Sequence, residues 1–217
     1  MQRIVVSYTD GSVNSPAVTR WAAQEAALRA LPLHDVHGSP PDVPGTAKLV
    51  VAGLAGLHVP AFSAHPLVLV PERFTARRGA RPVVEVVVGL DARRPAAGAV
   101  DFAFDTARLR GVRLRAVHAW RMPSCAAELP FGVPEEDRGA WEDHEVQLLA
   151  DALHPWREKY PEVPVLQDVR LFTPAHALVQ RSVAAGLVVV GRPPGGEPGP
   201  IVRALLRDAR CPVAVVP

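Results

Sequence analysis

Residues 187–217 read LVVVGRPPGGEPGPIVRALLRDARCPVAVVP, and this stretch predicts the fold more strongly than any other. The apolar run Leu187–Val190 is typical of a strand that is buried on both faces of a parallel sheet. A loop rich in proline and glycine follows. Gly199 and Pro200 then favour a helix start, because proline lacks only an N–H that stays unpaired at that position. Residues 212–216 predict a second buried strand. A strand, a glycine loop and a helix N-terminus in this order are typical of anion sites in α/β sheets.

The composition is that of an ordinary globular protein and excludes several classes of function. The chain has 217 residues, of which 48% are hydrophobic and 21% charged, and its formal net charge is only +2. Its arginines are spread along the chain, so no electrostatic footprint for nucleic acid is present. No apolar run approaches the ~20 residues of a membrane span, and no signal-peptide core opens the sequence. We therefore expect a cytoplasmic protein with no membrane or nucleic-acid partner.

Strand-like and helix-like patterns alternate along the whole chain. After residue 81 the order is strand, helix, strand, helix, strand, helix, strand, helix, strand, which predicts an α/β fold: an open parallel five-stranded sheet with helices on both faces. The strands are expected at 83–90, 112–119, 163–172, 187–190 and 212–216, and the helices at 95–110, 134–160, 174–185 and 199–210. Before residue 72 we expect strands at 3–8, 33–37, 48–52 and 67–70 and one helix at 17–30.

An internal repeat organises these elements. RIVVSYTDGS at 3–12 parallels VEVVVGLDAR at 84–93, and HPLVLVP at 65–71 parallels CPVAVVP at 211–217. The first copy lacks a long helix, a strand and another helix. We therefore predict a truncated domain at 1–71, a linker at 72–81 and a complete domain at 82–217. The terminal strands 67–70 and 213–216 are expected to pair with each other within the chain and to cover two sheet edges.

These motifs resemble the universal stress protein family, in the tandem form common in actinobacteria. The resemblance rests on a strand that ends in Asp10 or Asp91, the DGS after the first of them, the LVVVG strand and the ending ALLRDARCPVAVVP. It implies the fold shared with the adenine-nucleotide alpha-hydrolases and a non-catalytic role in the stress response. Members of the family bind ATP or AMP or have lost that ability, and they dimerise through their last strands. The alternatives are a nucleotide-binding regulatory module, a homodimer, a scaffold for another protein and a weak ATPase.

The resemblance also implies a nucleotide site, in which the Asp after the first strand contacts the adenosine portion. The candidate residues are Gly89, Asp91, Val117, Gly191, Arg192, Gly199 and Ile201. The phosphate loop departs from the family pattern of Gly, two residues, Gly, nine residues, Gly and Ser or Thr. It has Pro194 at the second glycine, Pro200 in place of the hydroxyl residue and a shorter spacing between its first and last glycines. Prolines offer no N–H to a phosphate and Glu197 adds negative charge, so we expect no tightly held cofactor. A nucleoside, a monophosphate or a smaller anion would still fit.

Simpler interpretations stand beside these. Asp10 and Ser12 are expected to cap the first helix, and a carboxylate such as Asp91 near a helix N-terminus is stable without a ligand. His118, at a strand end, is expected at the surface. Gly53 and Gly56 keep the first two loop glycines of the first copy, but no helix of useful length follows them. Cys125 and Cys211 predict neither a disulfide nor a metal site, and no motif of a hydrolase, a thiol enzyme or a dinucleotide enzyme is present.

Overall fold

A computed structural model describes residues 3–9, 15–37, 45–53, 65–71, 85–122, 135–192 and 198–217. Within these ranges nine strands and five helices follow one another in the predicted order. The strands are β1 (Ile4–Thr9), β2 (Leu33–His37), β3 (Ala47–Gly53), β4 (Leu67–Val70), β5 (Glu85–Gly89), β6 (Arg113–Trp120), β7 (Val165–Leu171), β8 (Leu187–Gly191) and β9 (Val213–Val216). The helices are α1 (Ser15–Leu28), α2 (Ala97–Arg110), α3 (Glu135–Lys159), α4 (Pro174–Arg181) and α5 (Pro200–Asp208).

All nine strands lie in one sheet, in the order β2-β1-β3-β4-β9-β8-β5-β6-β7. The five strands β5 to β9 form the predicted parallel array. Every neighbouring pair in the sheet is parallel except β4 and β9, which are antiparallel. The domain boundary predicted at 72–81 lies outside the described residues, and the strands on its two sides build a continuous sheet.

The antiparallel β4–β9 pair joins the strands that the sequence expects to meet. Leu67 lies opposite Val215, Val68 opposite Ala214 and Leu69 opposite Val213. All eight residues of the two strands are buried. Because the two strands are short and apolar, side-chain burial on both sheet faces stabilises this junction together with the ladder of hydrogen bonds.

Hydrophobic cores lie on both faces of the sheet, as the continuous apolar strands predict. One core contains apolar side chains of α1, α2 and α3, among them Trp21, Phe104 and Leu153. The other contains side chains of α4 and α5, among them Leu178 and Leu205. Successive strand residues alternate between the two cores, because side chains of a strand point to opposite faces in turn.

Local signals explain most helix ends. Gly111 has φ 62° and ends α2 in the left-handed conformation, which glycine adopts readily because it has no Cβ. Thr173 begins α4, and its hydroxyl accepts a hydrogen bond from the backbone N–H of His176. The prediction that α4 extends to residue 185 is wrong. The chain turns after Arg181, where the hydroxyl of Ser182 donates to the carbonyl of Val179 and accepts from the N–H of Arg210.

A cluster of buried charges joins α1 to α2, and we call Glu25, Arg29, Asp105 and Arg110 the α1–α2 ion cluster. Arg29 donates to Glu25 at 3.0 Å and to Asp105 at 2.9 Å. Arg110 donates to the other carboxylate oxygen of Glu25. The carboxylate of Glu25 is buried between the two guanidinium groups. The cluster therefore fixes the helix that follows β1 against the helix that follows β5.

Candidate functional site

A cavity of about 470 Å³ opens at the carboxyl ends of β5, β6 and β8. From β5 the chain continues to β6, which lies on one side of β5 in the sheet, whereas β8 lies on its other side. The strand order therefore reverses at β5. Ligands of open α/β sheets bind in the crevice at such a switch point, and this volume lies within the range of small-molecule sites. The lining residues are Gly89, Leu90, Asp91, Arg93, Arg94, Ala96, Val117, His118, Ala119, Pro174, Leu178, Val190, Gly191 and Ile201.

The structure brings five of the seven predicted site residues to this cavity, and these are Gly89, Asp91, Val117, Gly191 and Ile201. Arg192 and Gly199 are not among the lining residues. Arg192 is only 5% exposed, its backbone N–H donates to the carbonyl of Val216, and burial lowers the pKa of its guanidinium. Gly199 is the N-cap residue of α5. The positions of the five lining residues fit a ligand site at the end of the sheet. That they bind a ligand stays a prediction.

Asp91 stands at the mouth of the cavity. One oxygen of its carboxylate accepts a hydrogen bond from the backbone N–H of Arg93 at 3.0 Å, which closes a local turn. The side chain is 49% exposed, and Arg94 approaches it only to 3.9 Å. The carboxylate does not cap α2, which begins at Ala97 and whose N-cap, Ala96, makes no side-chain cap bond; the hydrogen bond from Arg93 satisfies one of its oxygens without a ligand. Asp91 thus retains acceptor capacity toward the cavity.

The two cavity glycines have a packing role besides any ligand role. A Cβ atom on Gly191 would lie 2.4 Å from the Cβ of Ala96, and one on Gly89 would lie 2.6 Å from a methyl group of Leu178. Contacts this short force the neighbouring atoms to move. Gly191 lets the start of α2 lie directly against the end of β8, whereas Gly89 does the same for α4 over β5.

The close contact between Gly191 and Ala96 predicts that substitutions at these two positions are coupled in their effect on stability. Gly191→Ala should cost about 1–3 kcal/mol of stability, because the overpacked Cβ cannot be relieved by a side-chain rotation. Ala96→Gly should restore most of that loss in the double variant, because an N-cap position tolerates glycine well. Denaturant unfolding of the four proteins measures the coupling. An additive cycle would show that Gly191 is needed for a reason other than this contact.

A buried network beside the cavity was missed by the sequence analysis. His118 is only 2% exposed, so the expectation that it lies at the surface is wrong. Its Nε2 lies 2.9 Å from Oε2 of Glu145 on α3. Arg93 donates to the same carboxylate with Nη1 at 2.8 Å and with Nη2 at 2.5 Å. These hydrogen bonds, that from Arg93 first, outweigh burial and lower the pKa of Glu145, which is therefore ionised at neutral pH.

One signal in the sequence does point to this network. Trp141, Glu145, Leu149 and Leu153 follow one another at intervals of four, which places them on one face of α3. A carboxylate within such an apolar stripe is buried and needs a partner. The sequence contains no information on which partner it finds, because His118 and Arg93 lie 27 and 52 residues away.

Charged pairs also hold α4 over the cavity. Asp168 on β7 is buried, forms an ion pair with Arg181 of α4 at 2.7 Å and accepts a hydrogen bond from Arg115 of β6 at 3.2 Å. Arg170 contacts the same carboxylate at 2.5 Å. Since α4 contributes Pro174 and Leu178 to the cavity wall, this anchor at the far end of the helix fixes that wall.

Several predicted features lie outside the described residues. They include Asp10, Ser12, Gly56, Cys125 and the loop residues Pro194 and Glu197. Where the structure does describe the chain, no group of three or more His, Cys, Asp or Glu side chains has the arrangement of a metal site. Cys211 is buried with a free thiol, and burial raises its pKa to about 12. None of the described helices is long and apolar enough to cross a membrane.

Comparison with known proteins agrees with this architecture. A sequence profile of the universal stress protein family matches residues 85–217, which is more than half of the chain. The chain belongs to this family. Universal stress protein Rv2005c of Mycobacterium tuberculosis (strain ATCC 25618 / H37Rv) is 42% identical over 135 residues, covering 60% of this chain and 44% of that protein. Universal stress protein Rv1996 of the same strain is 36% identical over 159 residues, covering 69% and 48%.

Solved structures extend the likeness beyond the matched segment. A universal stress protein from Archaeoglobus fulgidus DSM 4304 superposes with a TM-score of 0.59 over 98% of this chain and 95% of its own, at 14% identity. The functionally unknown protein PA1789 from Pseudomonas aeruginosa PAO1 gives a TM-score of 0.51 over 99% and 82%, also at 14% identity. At this level of identity the likeness concerns the fold alone. It nevertheless covers the strands of the first part as well as the universal stress protein domain at 85–217.

The chain spans about half the length of the curated universal stress proteins that it matches. The segment that the family profile covers begins at the first residue of β5 and contains every described residue that lines the cavity. The candidate site therefore belongs entirely to the universal stress protein domain.

Proposed function

We propose that this protein is a non-catalytic member of the stress response that binds a nucleoside or a nucleoside monophosphate, with little affinity for the phosphates of ATP. The observation that carries the proposal is the cavity at the switch point, with the half-exposed carboxylate of Asp91 at its mouth. Adenosine and AMP combine a planar ring with ribose hydroxyl groups, and these are features that such a cavity can bind.

The cavity wall suits a planar ring with hydroxyl groups beside it. Its apolar members come from three strands and two helices, among them Val117, Leu178, Val190 and Ile201. Such a surface favours burial of a base, because apolar area removed from water contributes about 25 cal/mol per Å². An ionised carboxylate accepts hydrogen bonds from hydroxyl groups such as those of a ribose. Asp91 is therefore the group that would orient the ligand.

Phosphates would gain much less at this site. The first turn of α5 follows Pro198 and contains Pro200, and neither offers an N–H to an oxygen atom. What remains is the N-terminus of a nine-residue helix, whose dipole is worth about 0.3–1 kcal/mol to an anion, and the guanidinium of Arg94, which is mostly exposed and whose ion pairs therefore contribute little. We infer that the loop after β8 is a degenerate phosphate loop and that added phosphates strengthen binding little.

The absence of catalysis is inferred from the polar groups that line the described cavity. They are Asp91, Arg93, Arg94 and His118. His118 is hydrogen-bonded on both ring nitrogens and Arg93 is paired with Glu145. These two groups are therefore not set to remove a proton from a water molecule, Arg94 is a cation, and we assign the carboxylate of Asp91 to the hydroxyl groups of the ligand. A regulatory role, in which ligand occupancy changes the stability or the surface of the protein, fits this arrangement.

Melting the purified protein with adenosine, AMP or ATP tests the proposal. A ligand at 100 times its Kd adds about 2.7 kcal/mol, which raises Tm by about 5–10 °C in a protein of this size. AMP and ATP should give similar shifts at equal concentration. Asp91→Asn should weaken adenosine and AMP about ten-fold, as for a hydrogen bond to a charged group, whereas Asp143→Asn, exposed on α3, should have no effect. The proposal would be contradicted if none of the three ligands raised Tm, or if ATP raised Tm far more than AMP does.

We further propose that the chain contains two copies of the family fold, the first truncated, and that β4 and β9 pair them. Support comes from the strand order, which reads β4-β3-β1-β2 on one side of the antiparallel junction and β9-β8-β5-β6 on the other. On each side the strand followed by the first helix occupies the third place. Because β9 already has β4 as a neighbour, the last-strand pairing of the family dimer would be satisfied within one chain. A homodimer or another partner would need a different surface.

A further inference from the structure

We infer that His118 is a positioning residue for the ligand site: its Nδ1 holds the backbone N–H of Ala92 and thereby fixes the loop that carries Asp91. This inference rests on the proposed ligand site and names the group that keeps it in shape. The contact itself is a property of the free protein, and it is tested separately from any ligand.

Both neighbours of Asp91 in the chain, Leu90 and Ala92, are hydrogen-bonded to residues of β6. The N–H of Leu90 donates to the carbonyl of Val117 at 3.1 Å. The N–H of Ala92 lies 3.3 Å from Nδ1 of His118, and the carbonyl oxygen of Leu90 lies at the same distance from this nitrogen. Two consecutive residues of β6 thus hold the residues on either side of Asp91. Its carboxylate can for this reason be directed into the cavity, although the side chain is half exposed.

The network around Glu145 decides which nitrogen of His118 carries the proton. The carboxylate of Glu145 is ionised and therefore only accepts hydrogen bonds. Its Oε2 lies 2.9 Å from Nε2 of His118, so Nε2 must be the donor. In the neutral imidazole Nδ1 then has a lone pair, which accepts the N–H of Ala92. We assign the Nε2–H tautomer on this ground.

Arg93 completes the arrangement, because it binds Glu145 with two parallel hydrogen bonds. Bidentate pairs of this kind fix the orientation of the carboxylate as well as its charge. The N–H of Arg93 also donates to the side chain of Asp91. This chain of hydrogen bonds therefore begins and ends in the same loop. Arg93 orients Glu145, Glu145 orients His118, and His118 holds Ala92. The other nearby charge, Arg94, is mostly exposed and contacts only Asp91.

A matched pair of variants separates the two ring nitrogens. Asn at position 118 places an oxygen near the position of Nδ1 and loses the contact with Glu145, whereas Gln places an amide near Nε2 and loses the contact with Ala92. Hydrogen exchange of the Ala92 amide should accelerate about five-fold in His118→Gln, as for one lost hydrogen bond. In His118→Asn it should change less. AMP affinity should fall in the same order, and Tm should stay within a few degrees of wild type in both variants.

Glu145→Gln keeps the shape of the network and removes the charge that selects the tautomer. At pH 8 the imidazole ¹⁵N shifts of the wild-type protein should report a protonated Nε2, and Glu145→Gln should give a mixture of tautomers. A protonated Nδ1 in the wild type, or equal Ala92 exchange in His118→Asn and His118→Gln, would overturn the inference. Failure of the wild-type protein to bind adenosine or AMP would instead contradict the proposed function and leave the exchange and tautomer results to decide the role of His118.

Discussion

Val215→Asp should abolish the cooperative unfolding transition of this protein or lower its Tm by at least 10 °C. Val215 is fully buried in the middle of the nine-stranded sheet, where it lies opposite Leu67 across the antiparallel junction. A carboxylate there would lose the apolar contacts of valine and would be left without a partner for its charge. Burying an unpaired charge is among the few single changes that cost 4–5 kcal/mol or more, and each kcal/mol corresponds to about 2–4 °C.

Val183→Asp provides the control for that result. Val183 is 72% exposed in the turn after α4, so the same substitution should leave the thermal transition almost unchanged. Differential scanning calorimetry of both variants measures the difference directly. A Val215→Asp protein that melts like the wild type would mean that β9 does not lie against β4 in the interior of the sheet.

Glu25→Gln should be the second most damaging change. It removes the charge between Arg29 and Arg110, both of which are buried beside it in the α1–α2 ion cluster. Asp105 still neutralises part of the charge on Arg29. Removal of one partner from a buried pair costs about 3–5 kcal/mol, because the remaining charge stays desolvated. We therefore expect Tm to fall by about 6–20 °C.

Arg108→Gln is the control, since it breaks a partly exposed ion pair to Asp105 on the same helix and leaves Glu25, Arg29 and Arg110 in place. Pairs of this kind contribute little, and Tm should change by no more than the error of the measurement. Equal behaviour of Glu25→Gln and Arg108→Gln would show that the buried cluster contributes nothing to the contact between α1 and α2.

The fold was accessible to sequence analysis because its strands are continuous apolar runs separated by amphipathic helices. Leu187–Val190 and Val213–Val216 are buried as predicted, and Gly111 ends α2 as its sequence context requires. The end of α4 was predicted too late, because the sequence does not reveal that the hydroxyl of Ser182 is occupied by Val179 and Arg210. The helix propensity of the residues near the end of α4 contains no information on their contacts with distant segments.

The site was predictable only in part, for the same reason. Asp91 and Gly191 follow buried strands, so their position at the sheet end follows from the strand pattern alone. His118 was misplaced at the surface because its partner, Glu145, lies on another element. Arg93 looks like one more surface arginine in the sequence, whereas the structure pairs it with that buried carboxylate. Buried polar networks depend on which elements the fold brings together, and a linear pattern contains little of that information.

We predict that β4 and β9 of one and the same chain pair with each other. Oxidative refolding of V68C/A214C, in a background that carries C125S and C211A, tests it most directly. Val68 and Ala214 are opposite each other, and Cα atoms of such pairs are about 4.5–5.5 Å apart, a distance that a disulfide bridges. We predict an intramolecular disulfide whose yield does not depend on protein concentration, with none in the two single-cysteine controls. Disulfides that form only between chains would contradict the claim.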